Sequence, residues 1–93
     1  MKNIEKYEVV KQYNFVISGL GYSIHARIVK ILDESYKFPY SYEISHYCRT
    51  PSQGGVYVSD AIYGDSIDVV EGKLMYYLEN FKSAVEIVVN EMY

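Results

Sequence analysis

Gln12-Tyr13-Asn14-Phe15-Val16-Ile17-Ser18-Gly19-Leu20-Gly21-Tyr22-Ser23-Ile24-His25-Ala26-Arg27-Ile28 holds two alternating runs separated by a glycine-bracketed break. In the first, Tyr13, Phe15 and Ile17 alternate with Gln12, Asn14 and, less strictly, Ser18. In the second, Tyr22, Ile24, Ala26 and Ile28 alternate with Ser23, His25 and Arg27. Successive side chains of an extended chain point to opposite faces, so a period of two marks strands covered on one side. Gly19-Leu20-Gly21 reads as a turn, and the two runs make an antiparallel hairpin. Upstream, residues 6–10 extend the first strand in preference to forming a helix with Ile4 and Tyr7.

Downstream, Asp33-Glu34-Ser35 is a polar turn and Pro39 marks the entry to a further run. Over residues 40–49, Tyr40, Tyr42, Ile44, His46 and Cys48 alternate with Ser41, Glu43, Ser45, Tyr47 and Arg49. Thr50-Pro51-Ser52-Gln53-Gly54-Gly55 has the composition of a loop, and residues 56–59 read as a fourth strand closing a second hairpin. Gly64-Asp65-Ser66 then announces a helix. Asp65 or Ser66 can cap it, because a short side-chain oxygen accepts from the free amides of the first turn. Ile67, Val70, Leu74, Leu78, Phe81, Val85, Val88 and Met92 recur at three- and four-residue steps, one apolar stripe on a helix of about seven turns. Gly72 in that helix marks a close approach to the sheet. The expected fold is α+β: four antiparallel strands in two hairpins under one long C-terminal helix, a single domain over residues 1–93.

Carried through the strands, this parity predicts two faces. Tyr13, Phe15, Ile17, Tyr22, Ile24, Ala26, Ile28, Tyr40, Tyr42, Ile44, Val56 and Val58 face the helix. Gln12, Asn14, His25, Arg27, Glu43, Ser45, Tyr47, Arg49, Tyr57 and Ser59 form the outer face. Twelve tyrosines, three phenylalanines and no tryptophan in 93 residues favour contact over catalysis, since a tyrosine ring has an apolar body and a polar tip. Tyrosine and arginine also concentrate binding energy at interfaces. Tyr47, Arg49 and Tyr57 are therefore the expected central contacts for a partner, with Arg27, His25 and Gln53 around them. At the helix end Ala84, Val85, Ile87, Val88, Val89 and Met92 wrap more of the helix than one sheet contact needs, so this end is either covered by the N-terminal segment or pairs with another copy in a homodimer.

Composition narrows the partners. Nine basic residues among twelve acidic ones give a net charge of −3, too little cationic character for strong direct nucleic-acid binding. Cys48 is the sole cysteine, which excludes an internal disulfide and fits a reducing, cytoplasmic setting. No apolar run is long enough for a membrane span, and no leader-type apolar segment opens the chain. No cofactor loop, phosphate loop or nucleophile elbow occurs. By parity His25 points away from His46 and Cys48, so no metal site is expected. His46 and Cys48 share one strand face, but nothing in the sequence supplies an oxyanion hole or an orienting carboxylate, so no thiol catalyst is expected.

Gly64-Asp65-Ser66-Ile67-Asp68, preceded by Val56-Tyr57-Val58-Ser59 and followed by the helix through Leu78, resembles the strand–cap–helix unit of HicB-type antitoxins. In that family an acidic pair follows the cap, where this chain has Asp68-Val69-Val70. The resemblance implies a partly RNase H-like domain that neutralises a small RNA-cleaving toxin. By class, a small acidic α+β chain without catalytic signatures is also similar to phage-encoded inhibitors of bacterial defence, the anti-CRISPR type. The expectation is a non-enzymatic interaction module that binds and blocks a larger protein or nucleoprotein, without cofactor or metal. A HicB-like antitoxin or a small-nucleotide-binding protein are the alternatives.

Overall fold

A computed structural model describes residues 4–93. In chain order it contains β1 (Tyr7–Val16), β2 (Ser23–Ile31), β3 (Tyr40–Ile44), β4 (His46–Arg49), β5 (Tyr63–Gly64), helix α1 (Ile67–Leu78), a 3-10 turn (Glu79–Ser83) and β6 (Glu86–Val89). An antiparallel four-stranded sheet runs in the order β1-β2-β3-β5, and β4 pairs with β6 in a small second sheet. The α+β class, the four-stranded antiparallel sheet and the helix toward the C-terminal end are as the sequence predicts.

The first hairpin pairs Tyr13 with Ala26 and Phe15 with Ile24. Gly19 takes φ +85 at its turn, a left-handed conformation that costs glycine no Cβ clash. β1 does begin at Tyr7, and the register slips between Val9 and Lys11. This bulge inserts one residue, so Lys11 joins Tyr13 and Phe15 on the helix side while Val9 stays on the other. Ile24, Ala26, Ile28, Tyr42 and Ile44 are buried against Val70, Leu74, Tyr77 and Phe81. Val29, on the opposite side of β2, is also buried, which accounts for the run of apolar residues at the strand's end.

Two predicted inner residues are instead on the surface: Tyr22 is 48% exposed and Val58 is 55% exposed. Tyr22 belongs to the turn before β2 and stacks on His46, with ring centres 5.2 Å apart. Residues 56–59 do not form a full strand; a single bridge joins Tyr57 to Cys48, after which the chain departs. The fourth place in the main sheet goes to β5, where Tyr63 and Gly64 pair with Ser41 and Tyr40.

The run over residues 40–49 is extended throughout but divides between the two sheets at Ser45. The Ser45 amide donates to the His25 carbonyl on β2 at 2.8 Å, while its carbonyl accepts from the Asn90 amide just after β6, also at 2.8 Å. One residue thus hands the chain from one neighbour to the next.

Ser66 is the N-cap of α1, its hydroxyl accepting from the Val69 amide at 3.2 Å. Three turns later the helix tightens into the 3-10 segment, and Ala84 is extended. The predicted seven-turn helix is therefore cut short at Leu78. Glu86-Ile87-Val88-Val89 is rich in β-branched residues, which suit a pleated strand, and it pairs with β4 from Arg49 to His46. With no helix there, the helical dimer face predicted from residues 84–92 does not exist. Nor is Gly72 a close approach, because a Cβ there would meet nothing within 4 Å. The tight contact is at Gly64, where a Cβ would lie 2.8 Å from Val69 Cγ1.

Candidate interaction site

The six residues expected to form one contact face are separated by this topology. His25 is exposed on the outer side of β2. Arg27 is engaged within the chain: its Nε donates to Glu43 Oε1 at 2.5 Å and its guanidinium lies 4.2 Å from the Tyr93 ring centre. The Glu43 hydrogen bond raises the Arg27 pKa further above its ordinary value. Arg49 pairs with Glu86 at 3.1 Å across β4 and β6. Gln53 closes a turn, accepting from the Thr50 amide through Oε1 at 2.8 Å and donating its own amide to the Thr50 carbonyl at 3.0 Å. Tyr57, opposite Cys48 in its bridge, shares the Cys48 side of the small sheet, whereas Tyr47 and Arg49 alternate to the other. Strand parity alone does not show this division, because the predicted faces assume one continuous sheet.

Tyr47 alone of the six lines a recess at the seam between the sheets. Tyr42, Tyr47 and Tyr77 supply its phenols, Val58 and Ile62 its apolar wall, and Asn90, Met92 and Tyr93 its outer edge. Its volume is about 250 Å³. The tail that bounds it is anchored by Asn90, whose Nδ2 donates to the Ile44 carbonyl at 2.8 Å. The fold places Tyr77 by helical spacing, three residues beyond Leu74 and four before Phe81. The spacing fits Leu78, one position around the helix, equally well, so Tyr77 is legible only in part. Asn90, Met92 and Tyr93 carry no such signal, since their place depends on β6 being a strand.

Burial raises the pKa of the Tyr42 phenol, an effect that the Ser59 hydroxyl opposes, and raises that of Tyr77 more strongly. Both remain protonated donors at neutral pH. Glu43 is the one charged residue in the lining, and Arg27 beside it is already paired. Such a lining suits a neutral apolar or amide-bearing group better than a phosphate. Cys48 is buried with its thiol pKa raised by burial, which disfavours the reactive thiolate. Among the described residues, no group of three or more His, Cys, Asp or Glu side chains converges as metal ligands, and no helix is long and apolar enough to cross a membrane.

No protein-family model, curated protein or solved structure matches this chain.

Proposed function

We propose that this chain is a non-enzymatic interaction module that binds and blocks a larger protein or nucleoprotein partner, in the manner of phage-encoded inhibitors of bacterial defence. The observation that supports this reading is the tyrosine-lined recess beside Tyr47. Small-molecule sites usually enclose about 300–1,000 Å³. At about 250 Å³ this recess is the size for one anchoring side chain of a partner. Its rim is apolar and open, with Val58 55% and Met92 91% exposed, and desolvated aromatic pockets of this kind carry much of the energy at protein interfaces.

The test compares capture of partners by the wild-type chain with capture by Val58→Glu and Met92→Glu, followed by titration of the purified partner. Both substitutions put a charge on the rim at exposed positions, so the melting temperature should stay close to wild type. Affinity should fall roughly thirtyfold or more, the scale of a hot spot of about 2 kcal/mol. Unchanged affinity in both variants would remove the recess from the contact. Turnover of a nucleotide substrate by the purified chain alone would overturn the non-enzymatic reading.

A further inference from the structure

β1 lies at the edge of the main sheet, with β2 on one side and, among the described residues, no strand on the other. At ten residues it is far longer than β5, the two-residue strand at the opposite edge. A long free edge is a row of backbone donors and acceptors open to another chain, and proteins usually guard it with charges, prolines or bulges. Here the guards sit in the N-terminal half: Glu8, Lys11 and the bulge between Val9 and Lys11. From Gln12 to Val16 there is no charge, no proline and no bulge. Beside this half lies an open cleft of about 580 Å³, walled by Phe15, Ile17 and Leu78, with Glu79 and Lys82 at its rim. Val16 is 82% exposed.

We propose that a second copy of this chain occupies this edge, its β1 antiparallel to the first, with the two-fold axis at Asn14. The choice of occupant rests on self-complementarity. An axis at Asn14 sets Tyr13 opposite Phe15 twice and Gln12 opposite Val16 twice, every pair on a common face. Aromatic cross-strand pairs are among the favourable ones, and these would cover the cleft on the helix side. Three other axes fit worse. At Lys11 two ammonium groups oppose each other, and at Tyr13 the bulged Val10 falls against Val16. At Phe15 the pairing runs onto Ser18 and Gly19, where the chain turns. The Asn14 register yields one continuous sheet from both copies, with both helices on the same side. It leaves the recess free, since β2 separates β1 from β3.

Light scattering and sedimentation of the full chain should give a dimer mass that declines on dilution. Asn14 is exposed, so Asn14→Lys should keep the thermal melt of the isolated chain while placing like charges on the axis. It should weaken dimerisation roughly tenfold or more. Asn14→Cys should yield a covalent dimer under mild oxidation, because native Cys48 is buried. A monomer mass at every concentration, with no cross-link in the cysteine variant, would overturn the proposal. So would a dimer insensitive to Asn14→Lys, or a monomer whose edge becomes protected only when a foreign strand is added.

Discussion

Tyr77 shows what one side chain does for this fold. Its hydroxyl donates to the Tyr57 carbonyl and accepts from the Cys48 amide at 3.3 Å, and its ring meets Phe81 edge-on at 5.9 Å. A single phenol thereby joins the helix, the small sheet and the chain that leaves it. Tyr77→Phe keeps the ring but strips a buried amide of its partner. We expect a stability loss of about 1–3 kcal/mol, read from the urea midpoint with an unchanged slope. A midpoint equal to wild type would show that the hydroxyl contributes nothing. Helical spacing is compatible with a buried Tyr77 but does not choose it over Leu78, and its hydrogen bonds link residues 29 and 20 positions away and have no local signature.

Helix α1 is the element whose start is best written in the sequence. Ser66 sits extended at φ −148 and ψ 162, the geometry a cap needs, with Asp68 in the first turn where the helix dipole favours an acid. Ser66→Ala should cost about 1 kcal/mol, measured by thermal or urea unfolding. A loss below about 0.3 kcal/mol would mean that Asp65 takes over the capping. The end of the helix is not legible in the same way. Val85, Val88 and Met92 continue a helical stripe, yet Val85, Ile87 and Val89 fit a strand equally well. Short apolar runs satisfy both periods, and here the pairing with β4 decides.

At the scale of the molecule, the junction at Ser45 determines how the two sheets sit together. Its hydroxyl accepts from the His25 amide at 2.8 Å and lies 2.7 Å from His46 Nδ1. Burial first, and then the nearby His25, lower the His46 pKa from its ordinary 6.5. The folded state therefore holds fewer protons than the unfolded chain just below that value, so stability rises with pH there. We expect a plateau above pH 6.5 and a loss as pH falls from 6.5 toward the lower folded value. Urea midpoints across this interval should show the slope in wild type and a flatter profile in His46→Gln. An identical slope in the variant would assign the effect to other groups. Glu71 and Asp33 do not confuse the window, because their pKa values are lowered from an already acidic range.

By itself the sequence determined the local conformations: the β1–β2 hairpin with its glycine turn, the extended run through Ser45, the capped start of α1 and the apolar face under it. These follow from side-chain period, backbone freedom and capping, all of which act over a few residues. Tertiary structure alone decided that β5 and not residues 56–59 lies beside β3, that residues 86–89 extend beside β4, and that Arg27 faces Tyr93 rather than solvent. The residues assigned to one contact face are divided between two sheets for that reason. Parity says which side of its own strand a residue occupies, but sheet membership depends on hydrogen bonds between segments far apart in the chain.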